Sequence, residues 1–124
     1  MKKLVLATLL IGLTSCGGLD TPRDVALEVV AVTLPTTLAP GSDLSVTVKY
    51  VENCTVMDEK LLLVERRSSA LKLAAVGTPK TPDGPCPAVY REQTLTYVDS
   101  GTVGRTTLFE VIVNGKSWGT IEVK

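Results

Sequence analysis

The chain has 124 residues, with 13 lysines and arginines against 13 aspartates and glutamates, and no histidine. Balanced charge offers neither the basic stripe that nucleic acid requires nor a polybasic contact for an anionic bilayer. Without histidine there is no Ser-His-Asp or Cys-His nucleophile and no imidazole-based metal site.

Met1-Lys2-Lys3 is a short cationic start, and Leu4 to Leu13 is an apolar run interrupted by Thr8 and Gly12. The run falls well short of the ~20 residues a spanning helix needs. A charged start, a short apolar segment and small residues after it describe a secretory signal. Leu13-Thr14-Ser15-Cys16 resembles the lipobox of bacterial lipoproteins. That resemblance implies a signal peptide over residues 1–15, cleavage before Cys16, and a diacylglycerol on the Cys16 sulfur with an acylated amino group. Buried acyl chains contribute about 0.8 kcal/mol per CH₂, so two or more of them anchor a protein stably. The expected address is the cell envelope, lipid-anchored and facing the periplasm or the exterior. Gly17 follows where aspartate would signal inner-membrane retention in this family, so the outer membrane is favoured if the cell has one.

Three cysteines are an odd number for an exported protein. Lipidation of Cys16 leaves Cys54 and Cys86 to pair, in a compartment where disulfides persist. A bridge closing about 33 residues stabilises by roughly 3–4 kcal/mol in the chain-entropy account. The cleaved chain would have 109 residues, 11 basic and 13 acidic, enough for one domain. Residues 16–24 read as the lipidated cysteine and a short tether, its Gly17–Asp24 stretch reaching at most about 28 Å. The domain is expected over 25–124.

Val25 to Leu34 is rich in β-branched residues and ends at Pro35, which predicts a first strand. After the Pro40-Gly41-Ser42 turn, Leu44, Val46, Val48 and Tyr50 alternate with polar neighbours, the pattern of a half-buried strand. Cys54 shares their parity and is expected to lean toward the same side if the strand continues. Over 58–76 two strands turning at Arg67-Ser68-Ser69 compete with one amphipathic helix; Ser68-Ser69 in mid-helix and a smeared apolar face favour the strands. Leu61 to Val64 is uniformly apolar, which predicts a central strand covered on both faces. Glu59-Lys60 and Glu65-Arg66-Arg67 flank it as solvated charges.

Gly77 to Pro87 contains Pro79, Pro82, Pro85 and Pro87 and predicts a stiff loop. Tyr90 to Val98 predicts a strand, turned by Asp99-Ser100-Gly101. Asn114-Gly115 between two β-rich runs is the preferred two-residue hairpin turn. A regular register would set Val111 opposite Trp118 and Leu108 opposite Ile121, with Trp118 as a packed cross-strand aromatic.

About seven short strands at regular spacing predict an all-β fold, an antiparallel β-sandwich. The Leu44-to-Tyr50 strand after a Pro-Gly turn, and the Phe109-to-Gly115 segment, resemble bacterial immunoglobulin-like domains. No tryptophan lies near the expected third strand, the cysteines do not bridge the usual two strands of those domains, and fold would not set function in any case.

No catalytic residues, metal ligands or cofactor site can be named. Ser69-x-x-Lys72 matches a penicillin-recognising motif, but residues three apart on a strand point to opposite faces. Asp58-Glu59 reads as a solvated turn, and Asn53-Cys54-Thr55 fits a glycosylation pattern, but its cysteine is expected to be bridged and the lipobox resemblance implies a bacterial source. The expected function is a non-catalytic, membrane-anchored interaction or structural module with an envelope protein as partner. The alternative is an inhibitor of an envelope or foreign enzyme, acting through loop 77–87 with Lys80 and Asp83 as contact residues.

Overall fold

The structure, a computed structural model, describes residues 23–86 and 90–124. These form nine strands: β1 (Val25–Ala26), β2 (Val29–Thr33), β3 (Thr37–Leu38), β4 (Leu44–Val51), β5 (Val56–Arg67), β6 (Ala70–Pro79), β7 (Glu92–Asp99), β8 (Leu108–Val113) and β9 (Lys116–Val123). The fold is an all-β sandwich of a six-stranded and a three-stranded sheet. Alternation decides what lies between them. Leu44, Val46, Val48 and Tyr50 of β4 face Leu71, Leu73 and Ala75 of β6 and Phe109, Val111 and Val113 of β8 in one buried cluster.

Region 58–76 is two strands joined at Ser68-Ser69, not a helix. The expected single strand over 25–34 is instead broken. β1 pairs with β6 in the larger sheet, and β2 pairs with β4 in the smaller one. Leu27 causes the change of sheet: its side chain is buried while its N–H donates to Ala75 O, and Glu28 O then accepts from Val51 N. β4 ends at Val51, so Cys54 lies in the following turn and is only half-buried. Likewise Gly77 to Pro79, expected in the loop, belongs to β6.

In the larger sheet β5 pairs with one edge of β6. Its other edge carries β8 at Ala70–Leu73 and β1 at Val76–Gly77, followed by β9 and β3. Asn114 fills the gap between β8 and β1, accepting from Ala75 N and donating to Ala75 O and Leu27 O. The smaller sheet runs β2-β4-β7. Two pairings, β6 with β8 and β3 with β9, are parallel, where an antiparallel sandwich was expected. The reason lies in the connection: the chain leaves β6, forms β7 in the opposite sheet, and returns to lay β8 alongside β6 in the same direction.

That order corrects the reading of Leu61 to Val64 as a central, doubly covered strand. Among the described residues β5 pairs only with β6. Leu62, Leu63 and Val64 are 42%, 51% and 62% exposed. The three-stranded sheet is too narrow to cover the outermost strand of its wider partner.

Asn114 and Gly115 make the hairpin turn with φ of 52° and 78°, both in the left-handed region such a turn requires. The register departs from the regular one. Val113 faces Lys116 and Ile112 faces Ser117, but Val111 then faces Gly119, and Phe109 faces Ile121. Trp118 is the extra residue of a β-bulge, so Val111 is not opposite Trp118, nor Leu108 opposite Ile121. One inserted residue inverts the facing of everything after it. It turns Ile121 and Val123 inward, where they join the core. Gly119, at φ 146°, supplies a conformation that side chains rarely allow. Trp118 is half-buried with Lys116 Nζ 4.2 Å from its ring centroid.

Candidate functional site

The two ends of the sandwich are chemically different. At one end the N-terminal segment reaches the domain: Val25 lies opposite Gly77, Asp24 accepts from Thr78 Oγ1 at 3.5 Å, and Lys60 Nζ is 3.8 Å from Asp24. The loop after β6 begins at this same end. Lys80 N donates to Thr55 O at 2.8 Å, and Cys86 is bonded to Cys54 with the two Cα atoms 5.9 Å apart. Asn53 shapes the turn that holds Cys54, its Oδ1 accepting from Thr55 N at 2.8 Å and Thr55 Oγ1 at 2.6 Å. Loop and turn are thereby tied at two points. Lys80 and Asp83 lie in that loop and are exposed. Cys16, the signal 1–15 and the tether up to residue 22 lie outside the described residues, as does Pro87.

The opposite end is built on buried charge. Asp99, where β7 ends, is 6% exposed. Arg66 grips it bidentately, Nε to Oδ1 at 2.8 Å and Nη2 to Oδ2 at 3.0 Å. Arg105 reaches the same carboxylate from the other side at 2.8 Å. Both guanidinium groups lie over the Phe109 ring, at 4.7 and 5.5 Å from its centroid. Delocalised, weakly hydrated guanidinium groups suit this stacked and forked arrangement. Other donors reach backbone, Arg66 to Val103 O and Gly104 O, Arg105 to Ser42 O and Asp99 O, while Arg105 Nε is buried without a partner. Thr106 N adds a bond to Ser68 O. Three separate loops, around Ser42, Ser68 and 100–107, are thus fastened to one ion cluster. Val103 and Leu108, 52% and 62% exposed, stand on this knitted end.

Arg66 corrects the reading of Glu65-Arg66-Arg67 as a wholly solvated strand end. A bulge between Leu63 and Glu65 turns Arg66 inward, opposite Leu71 of the core. Arg105 carried no signal of its own. Its partner Asp99 is distant from Arg66 in the chain, and local pattern is blind to such pairs. Glu65 and Arg67 do remain at the surface, where hydrogen bonds first from Arg67 and then from Lys72 hold the Glu65 carboxyl below its usual range. Burial, then Glu59 and Glu52, pushes the Tyr50 phenol up, and donation to Glu92 does so at Tyr90. These shifts keep both phenols protonated and create no base near neutrality.

The outer face of β6, β8 and β9 carries a shallow open depression of about 580 Å³ lined by Lys72, Glu110, Ile112 and Thr120 among others. Ser69 and Lys72 both line it, and the Lys72 ammonium is 3.2 Å from the Glu65 carboxylate. Among the described residues no group of three or more Asp, Glu or Cys could hold a metal ion. No helix there is long and apolar enough to cross a membrane. No protein-family model, curated protein or solved structure matches this chain.

Proposed function

We propose that the chain is a lipid-anchored envelope protein, a non-catalytic interaction module on an immunoglobulin-like sandwich, held to a membrane through Cys16. The Leu13-Thr14-Ser15-Cys16 motif motivates the anchor. The observation that carries the rest is that the tether joins the domain at one end, beside the stapled loop, while the ion cluster fastens three loops at the other. β6 alone spans about 33 Å between those ends. Loops fixed in advance lose little conformational entropy when a partner binds. Val103 and Leu108 give that end an apolar contact within a polar surround, the anatomy of a protein interface. In this orientation Lys80 and Asp83 lie toward the membrane. That position suits setting the domain's stance on the bilayer better than reaching a foreign enzyme.

Intact-mass measurement on the protein from cells should show residues 1–15 removed and a diacylglyceryl group on Cys16, with the Cys16→Ala protein released from membranes. Photo-crosslinkers at position 103 should capture one protein repeatedly, while those at position 83 should label lipid. Recovery of a chain that retains Met1 and an unmodified Cys16 would overturn the reading.

A further inference from the structure

β5 is the longest strand of the domain, twelve residues, and among the described residues its outer edge pairs with nothing. Long, apolar, unpaired edges are sites of strand addition, and stable monomers usually blunt them. Here exposed Leu62, Leu63 and Val64 sit at the middle of the edge. Acidic residues and one lysine precede them, as Asp58-Glu59-Lys60; one acidic residue and two arginines follow, as Glu65-Arg66-Arg67. The order of charge is inverted across the apolar centre.

Register decides whether those charges can meet. Lys60, Leu62, Glu65 and Arg67 lie opposite Val76, Ala74, Lys72 and Ala70 of β6, so all four are on the outer face of the sheet. Lys60 and Glu65 are five apart and would occupy opposite faces of a regular strand. The bulge between Leu63 and Glu65 restores them to one face. With the bulge counted as one step, Lys60 and Glu65 are equidistant from Leu62.

We infer that β5 is a two-fold interface through which two copies of this chain pair edge to edge, antiparallel, with the axis at Leu62. Leu62 then meets its own copy. Lys60 lies opposite Glu65 of the other copy and Leu61 opposite Leu63 and Val64, while the second irregularity, between Met57 and Lys60, sets Arg67 opposite Met57. The contact is isologous, so one patch serves both copies and no edge of β5 is left over. The other edge of β5 is already taken by β6, so the pairing closes at two copies and does not propagate into a fibre. The exposed intrachain contacts of Lys60 with Asp24 and of Glu65 with Arg67 and Lys72 are weak enough to rearrange. Arg66 stays with Asp99 and takes no part.

Cysteine crosslinking of the purified full chain tests this, in a Cys16→Ala background so that neither the lipid nor that thiol contributes. Opposed Cα atoms in an antiparallel pair are about 4.5–5.5 Å apart, within disulfide range. Leu62→Cys should therefore give a covalent dimer under mild oxidant, while Leu108→Cys, exposed on the same sheet, should not. Adding Lys60→Glu should lower the yield about tenfold, because each dimer then holds two like-charge pairs. Combining Lys60→Glu with Glu65→Lys should restore it, with far-UV circular dichroism confirming that each variant is folded. A Leu62→Cys chain that stays monomeric, or a crosslink that ignores the Lys60→Glu change, overturns the interface.

Discussion

At the level of single residues, the Asp99 carboxylate holds two buried arginines at once. Asp99→Ala would leave Arg66 and Arg105 buried with no counter-ion above Phe109. Breaking such a cluster from one side costs about 3–5 kcal/mol, and urea denaturation of the Asp99→Ala protein should show a loss of that size. Arg105 is the more deeply buried of the pair, its side chain 2% exposed against 10% for Arg66. Little of this was legible in the sequence. Arg66 stands in a charged run of the kind that usually faces water, and what draws it inward is one bulge and an acid 33 positions away. The bridged Cys54 and Cys86 were legible, because an unpaired thiol count points to its own solution. Lys80 and Asp83 lie in a loop, but nothing local told that this loop begins at the end of the sandwich where Asp24 and Val25 meet β6.

At the level of strands, alternation carried the prediction where a strand is regular and failed where it is interrupted. β4 reads true from Leu44 to Tyr50, and Asn114-Gly115 marks the turn between β8 and β9 without ambiguity. Leu61 to Val64 misled, since an apolar run looks the same whether another sheet or another molecule is meant to cover it. The β8–β9 register misled because Trp118 is an added residue with no sequence signature except the glycine after it. Gly119 can be tested directly. A Cβ there would have Leu34 Cδ1 at 3.5 Å, an ordinary contact, so space is not the obstacle. The backbone at φ 146° is. Gly119→Ala should cost about 1–3 kcal/mol, read by thermal or urea unfolding. If the bulge is squeezed out instead, Ile121 and Val123 rotate to solvent and the loss will be larger.

For the molecule as a whole, the core and the stapled end are separate contributions to stability. Among the described residues thirteen buried apolar side chains form one cluster that does not include either cysteine. The Cys54→Ser/Cys86→Ser protein should accordingly keep its fold, as judged by circular dichroism. It should lose roughly 3–4 kcal/mol on denaturation for a closure of this length, with the loop after Pro79 becoming the first point of proteolytic cleavage.

The parallel alignment of β6 with β8, and of β3 with β9, sets when the chain can lock. Leu73 waits for Val113, and Thr37 waits for Glu122. A growing polypeptide emerges at about 5–20 residues per second, so the earlier strands spend several seconds lacking their last neighbours. Contacts between distant parts of a chain also form slowly. A ribosome-bound fragment lacking β9 therefore has an unfinished sheet and no native state to fall into, and such a nascent chain remains threadable for as long as its final hairpin is missing.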